Sequence, residues 1–464
     1  MFRNFNYYFP RRTIFLVVSE NLLIFGIIQL AVFIRSRFEI DSGTNLVNLM
    51  ARVVLITMVC QMSLYYHDLY DLRIVKESKE LFVRLIQSVG ISSILVAGIY
   101  LVFPSTFLGQ GVFILSTLFL LTLLSAWRVT FSTLSQIRDL KKPLMILGMG
   151  QLAEKLYSEI LSRPEVGVRI VGIISDNPEP KMNSDHELPV LGHTSELLQL
   201  VAREKVAGLV VAMPESRGKL PVRELLELKL RGVSIEEATS LYEQITGKIA
   251  VENLRPSWLI FSHGFRKSRL KRFYRRVFDI VFSLIGLLIG SPLLAIVAVS
   301  IKLDSRGPVF FKQHRIGKNG KVFELLKFRS MYHNAETKTG PIWAQKNDPR
   351  ITRVGNFIRK IRLDEVPQFI NVLLGDMSFV GPRPERPNFV QQLTEMIPYY
   401  NQRHTVKPGI TGWAQIKFRY GNTIEDTLEK LQYDLFYIKH MSLSLDLFII
   451  FQTIKIVMQG RGAY

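Results

Sequence analysis

The chain has 464 residues, room for about three domains at ~100–200 residues each. Hydrophobic residues make up 48% and charged residues 21%, which excludes disorder as the main state. The single cysteine, Cys60, excludes an internal disulfide framework and any cysteine-rich zinc or iron–sulfur site. The net charge of +20 is uneven: from Ser262 onward 32 Lys/Arg face 15 Asp/Glu, against 27 and 24 in the residues before it. The last part of the chain therefore prefers anionic partners.

Four apolar stretches open the chain: Thr13–Ile34, Leu46–Tyr66, Leu81–Phe103 and Gly111–Trp127. Each approaches the ~20 residues that cross a bilayer core. They are apolar all round, which argues against a soluble bundle, and the length of the first argues against a cleaved signal peptide. Glu20, Arg52 and Arg84 lie within or beside them and are expected to pack between helices or snorkel. Arg3, Arg11 and Arg12 precede the first stretch, and Arg128, Arg138, Lys141 and Lys142 follow the fourth. The loop Pro104–Gln110 has neither Lys nor Arg, so both ends of the bundle are expected in the cytoplasm.

After Lys142 short apolar runs alternate with helical patterns, as in a covered parallel sheet. The turn Gly148-Met149-Gly150-Gln151-Leu152-Ala153, with Asp176 beyond the second run, fits a dinucleotide fingerprint. The same glycines serve a tight turn without a ligand, so a regulatory or oligomerising domain is the alternative. Ile235–Phe261 reads as a connector of loop and short helix.

Arg266–Arg276 holds seven basic residues in eleven and runs into Ile280–Ile301, which has no charge. That order points to the anionic cytoplasmic leaflet rather than to nucleic acid. Ser291-Pro292 sits mid-stretch, where proline removes a backbone donor and a sharp bend is expected. A helix that enters, breaks and leaves on the same side keeps the basic domain inside; a kinked fifth span is the alternative.

Gly317-Lys318-Asn319-Gly320 between apolar runs predicts a hairpin leading into Lys327-Phe328-Arg329-Ser330-Met331. Further on stand Asp364-Glu365 before Pro367, then Gly381-Pro382-Arg383-Pro384-Glu385, then Lys407-Pro408-Gly409-Ile410-Thr411-Gly412-Trp413. Proline suits the first position of a helix, which puts the two acids at its N-terminus, where anions are favoured. Arg359 and Arg362 add positive charge, so both carboxylates are expected to be ionised. An ionised Asp can attack an activated phosphorus, and an adjacent Glu can hold Mg²⁺. Capping and surface ion pairs are the alternative for an isolated Asp-Glu.

The segments KFRSM, IRLDEVPQFINVLLGDMSFVGPRPE and KPGITGWAQI closely resemble the bacterial sugar transferases, polyprenyl-phosphate phosphoglycosyl transferases with one membrane-embedded catalytic domain. The likeness covers roughly Lys271–Tyr464 and ends in GRGA. Tyr242–Phe261 further resembles members linked to exosortase-associated exopolysaccharide systems. The resemblance implies a four-span membrane α-helical bundle (1–135), an α/β Rossmann-like domain with connector (140–262), and an α+β membrane-embedded catalytic domain with a re-entrant helix (263–464).

It also implies a ping-pong transfer of sugar 1-phosphate from a nucleotide-diphosphate sugar, UDP by expectation, to polyprenyl (undecaprenyl) phosphate. This is the first membrane step of exopolysaccharide synthesis, at the cytoplasmic face of the bacterial inner membrane. Asp364 carries the phosphosugar, and Asp364 with Glu365 binds Mg²⁺. Arg359 and Arg383 contact phosphate or nucleotide, and Lys327 and Arg329 lie near phosphate. Oligomerisation is one role left to the N-terminal regions. A membrane-anchored NAD-dependent dehydratase or epimerase is the rival, but none of the 16 tyrosines has Lys four residues on.

Overall fold

The computed structural model describes residues 11–36, 46–71, 78–136, 141–163, 166–176, 189–213, 220–253, 264–265, 268–333, 335, 348–418 and 423–460. Arg3, Arg138, Arg266, Lys267, the end of the connector and all of the GRGA but its first glycine lie outside them. The chain divides into two compact units, Met1–Thr246 and Gly247–Tyr464.

In the first unit the apolar stretches form helices α1 (Arg11–Ser36), α2 (Leu46–Tyr66), α3 (Ser78–Val102) and α4 (Gln110–Gln136), each long and apolar enough to cross a membrane. Their core is aliphatic, with Ile24, Val53, Leu64, Leu85 and Leu124 buried. The three charged residues singled out from the sequence each have a partner, as an apolar surrounding favours. Glu20 Oε2 accepts from Arg128 Nη2 at 2.8 Å, and both side chains are buried. Arg84 pairs with Glu80 at 2.7 Å and Arg52 donates to the Phe107 carbonyl at 3.2 Å.

The rest of this unit is a five-stranded parallel sheet in the order β3-β2-β1-β4-β5. Its strands are β1 (Lys142–Leu147), β2 (Val168–Ile174), β3 (Val190–Gly192), β4 (Gly208–Val211) and β5 (Ser234–Glu237). Helices α5 (Gln151–Ser162), α6 (Leu197–Arg203), α7 (Val222–Leu230) and α8 (Ala238–Thr246) complete it. This is the strand order of a dinucleotide-binding fold without its sixth strand. Sequence reading missed β5, whose Ser-Ile-Glu-Glu lacks an apolar run because it is an edge strand paired only with β4.

Gly148 (φ +93) has a packing reason independent of any ligand: a Cβ there would lie 2.3 Å from Met213 Cγ and 2.9 Å from the Met213 backbone nitrogen. Asp176 is likewise engaged, its Oδ1 accepting the Thr194 amide at 2.7 Å.

The second unit begins earlier than the sequence suggested. Ile249 donates its amide to the Gln432 carbonyl at 3.1 Å, Trp413 Nε1 donates to the Gly247 carbonyl at 2.9 Å, and Ile249–Val251 are buried. The unit is largely helical, and among its described residues the sheets are two two-stranded pairs. The predicted hairpin is β6 (Phe310–Ile316) against β7 (Val322–Phe328), turning through Asn319 (φ 57) and Gly320 (φ 77).

Its apolar helix, α9 (Arg269–Asp304), keeps helical hydrogen bonding through Pro292, where sequence reading expected a break. Proline cannot donate to the Leu288 carbonyl four residues back. The Ser291 hydroxyl donates to that carbonyl instead, at 2.8 Å. Both ends of α9 pack on the same unit. Asp279 Oδ1 accepts from Ser378 Oγ and the Phe379 amide, each at 3.0 Å, while Val297 and Ile301 join a core with Phe328 and Ile358. Between them Leu284, Leu288, Ile289, Leu293 and Ile296 are exposed. Two arginines of the basic collar turn inward: Arg275 pairs with Asp446 at 2.9 Å, and Arg276 Nη2 donates to the Leu373 carbonyl at 2.7 Å.

Candidate active site

Beyond α9 and the hairpin come α10 (Arg353–Lys360), a 3₁₀ turn (Leu363–Glu365) and α11 (Gln368–Leu374). Asp364 and Glu365 sit on the turn, just before the helix as expected, with Pro367 as its N-cap. Arg362 enters the turn at φ 60, a left-handed conformation rare outside glycine. The turn has a firm base. Asn371 on α11 accepts the Leu326 amide (2.9 Å) and donates to the Glu324 carbonyl (2.7 Å), bolting α11 to β7. Asn371 was not singled out in the sequence, although a lone amide among Phe, Ile, Val and Leu is a usable signal.

That bolt brings Lys327 on β7 to the dyad: its Nζ lies 3.0 Å from Glu365 Oε1. Arg383 Nη2 reaches the same oxygen at 2.7 Å and Arg362 Nη1 stands 3.8 Å away. Burial by itself raises the Glu365 carboxyl, but Arg383, Lys327 and Arg362 outweigh it and hold the group well below the usual carboxylate range. Asp364 goes the other way. Burial and repulsion from Glu365 raise it, and Lys327, Arg362 and Arg359 offset that only in part. Both acids were expected to be ionised; the structure adds that their environments differ, Glu365 held low and Asp364 raised. The cations gather on one carboxylate and leave its neighbour with the repulsion.

The dyad opens on a cavity of about 920 Å³. Lys327, Arg329, Arg359 and Arg383 line it with both acids, so all the sequence-predicted site residues come together. Arg329 differs from expectation in what it holds. It is buried and donates to the carbonyls of Ile301 (3.2 Å), Ser305 (2.7 Å) and Arg306 (3.0 Å), and to Ser305 Oγ (2.9 Å). Its guanidinium caps the C-terminus of α9, tying the Ile301 carbonyl, which also accepts the Ser305 amide, to the two residues just past the helix, where a cation suits the dipole. Arg350 lines the cavity as well, and so do Arg315, Arg386 and Arg403, which were missed because single arginines scattered along a basic chain carry no spacing signal.

The donor set suits a hard cation: two neighbouring carboxylates, one of them raised by burial and by repulsion from the other. Among the described residues no three His, Cys, Asp or Glu side chains gather to hold a metal unaided. Mg²⁺ habitually takes one or two carboxylates and completes its shell with substrate phosphates and water.

Residues 270–460 match the family model for the bacterial sugar transferase, and residues 66–236 match that for a CoA-binding domain. The chain is 43% identical over 241 residues to a UDP-N-acetylgalactosamine-undecaprenyl-phosphate N-acetylgalactosaminephosphotransferase of Aeromonas hydrophila, covering 52% of this chain and 56% of that protein. It is 36% identical to an undecaprenyl-phosphate glucose phosphotransferase of Komagataeibacter xylinus, over 72% of this chain and 62% of that protein. It is 35% identical to a UDP-glucose:undecaprenyl-phosphate glucose-1-phosphate transferase of Escherichia coli K12, over 69% of each chain. The chain thus spans less than two thirds of the first two relatives' length and slightly more of the third's.

Proposed function

The chain belongs to the bacterial sugar transferase family, and on that premise we propose that it transfers sugar 1-phosphate from a UDP-sugar to undecaprenyl phosphate. The observation that carries the reading is the buried Asp364-Glu365 pair set among Lys327, Arg359, Arg362 and Arg383 at one large cavity. A nucleotide sugar's diphosphate needs such a cationic wall.

In the first step an Asp364 oxygen attacks the sugar-bearing phosphorus, the bond from that phosphorus to the bridging oxygen breaks, and UMP leaves. The sugar phosphate is then an acyl phosphate on Asp364. In the second step an oxygen of the lipid phosphate attacks the same phosphorus, the bond to Asp364 breaks, and the carboxylate is restored. Glu365 has its charge engaged by Lys327, Arg362 and Arg383, which makes it the poorer nucleophile, while Asp364 is the carboxylate with no such direct ion pairs among the described residues and is the one that attacks once ionised. Arg383 and Arg359 steady the diphosphate oxygens, with Lys327 fixing Glu365 in register. Asp364 and Glu365 would hold Mg²⁺, which when bound neutralises charge on the diphosphate.

The acceptor is a membrane lipid, and α9 suits that setting. Its exposed apolar middle and its two ends packed on one unit support a re-entrant helix; the basic residues flanking the first and fourth spans and preceding α9 favour the cytoplasmic side of the inner membrane for the catalytic unit. The product would serve as the first membrane-bound intermediate of an exopolysaccharide. The test is a panel of nucleotide sugars offered with undecaprenyl phosphate and Mg²⁺. Release of the nucleoside monophosphate together with a sugar-bearing lipid is expected for one UDP-sugar, and release that does not need the lipid for turnover would refute the reading.

A further inference from the structure

Gly381–Arg386 has no regular secondary structure, yet it carries Arg383 to the dyad. Pro382 and Pro384 flank Arg383 and have no N–H, so this strip cannot be fixed by a strand ladder. Its carbonyls are fixed one by one instead. The Pro382 carbonyl accepts the Gly409 amide at 3.0 Å, and the Glu385 carbonyl accepts the Ile316 amide at 2.9 Å. The two carbonyls between them are held by side chains. Arg403 Nη2 donates to that of Arg383 at 3.0 Å, and Arg315 Nη1 donates to that of Pro384 at 2.9 Å.

Each of these two arginines is itself anchored. Arg403 is buried, pairs with Asp434 Oδ2 at 2.8 Å and donates to Tyr400 Oη at 2.6 Å. Arg315 donates to Gln313 Oε1 at 2.9 Å and lies 3.4 Å from Glu385 Oε2. A buried ion pair such as Arg403–Asp434 adds little net stability, because both charges must be stripped of water. Its use here is directional: it aims a donor at one carbonyl beside the reacting centre.

We propose that Arg315 and Arg403 are positioning residues that clamp the backbone on either side of the Arg383–Pro384 peptide and so aim the Arg383 guanidinium at Glu365 and at the donor diphosphate. The proposal rests on the transferase reading above and adds two residues that act through Arg383 without touching the reacting atoms. A displacement of about 1 Å at such a site costs on the order of 10²-fold in rate. The loss belongs in kcat, because the clamp holds a geometry used in the transition state rather than adding a contact to bound substrate.

The test is a set of mutant cycles on the full chain in lipid nanodiscs, reading UMP release per folded molecule with undecaprenyl phosphate present. Arg403→Gln and Arg315→Gln are each expected to lower kcat on the order of tenfold or more. In the Arg383→Gln background neither is expected to lower it further, since the residue they aim is gone. Losses that multiply in the double variants, or single variants with wild-type kcat, would overturn the clamp. Should Arg403→Gln fail to fold because Asp434 is left buried without its partner, Arg315→Gln alone decides the question, having no buried charge to strand. A wild-type chain that releases no UMP from any UDP-sugar overturns the transferase reading and the clamp with it. Active wild type with independent losses overturns the clamp alone.

Discussion

Arg329→Gln separates two roles for an arginine that lines the cavity and also caps a membrane helix. The guanidinium makes four hydrogen bonds to the end of α9, three of them to backbone carbonyls. A glutamine amide has two donors on a shorter stem and can keep at most one or two of these. Each charged hydrogen bond contributes a net ~1.5–3 kcal/mol, and a buried carbonyl left unpaired costs about 1–3 kcal/mol. Relief by water at the cavity edge lowers the total, so about 3 kcal/mol is the working figure. For a domain of this size 1 kcal/mol moves Tm by about 2–4 °C, which gives a fall of roughly 6–12 °C. The assay is thermal unfolding in nanodiscs, followed by donor KM on the fraction still folded. A lower Tm with KM near wild type is expected. An unchanged Tm with a KM raised tenfold or more would refute the capping role and restore Arg329 to the substrate.

Glu365→Gln leaves Lys327, Arg383 and Arg362 without their shared counter-charge and is expected to cost at least ~10–100-fold in turnover while the chain folds; a variant within twofold of wild type would contradict it. Because Asp364 must be ionised to attack and its carboxyl is raised by burial and by Glu365, the acid limb of kcat/KM is expected above the ~4 of an ordinary Asp, and a limb at or below that value would refute the assigned environment. A truncation beginning at Gly247 is expected to be more stable and more active than one beginning at His263, because Ile249–Val251 are buried in the second unit; equal melting temperatures would show that segment to be dispensable.

The site was largely legible in the sequence because its residues stand in short, dense runs. The position of Asp364-Glu365 before Pro367 gave the turn at a helix start, and Asn319-Gly320 gave the hairpin that delivers Lys327. What stayed hidden depends on partners distant in sequence. Arg329 reads as a phosphate ligand until the end of α9 is seen beside it, and Arg403 is one cation among many until the Arg383 carbonyl comes within 3.0 Å. The proline at position 292 suggested a break, yet α9 continues past it and the Ser291 hydroxyl takes over the orphaned carbonyl. Strand β5 was missed because pairing with β4, rather than composition, makes it a strand. The pKa contrast within the dyad was also out of reach, since it follows from which oxygen the cations choose.

The central claim is that Asp364 carries the sugar phosphate between the two half-reactions. The most direct measurement is intact-mass and peptide mass spectrometry of the full chain mixed with a UDP-sugar and Mg²⁺ in the absence of lipid phosphate, quenched in acid. A mass increase of one sugar phosphate on the peptide holding Asp364, discharged by adding undecaprenyl phosphate and absent from Asp364→Asn, is the result predicted. UMP release and product lipid formed at wild-type rates by Asp364→Asn, or the adduct found on another residue, would contradict it.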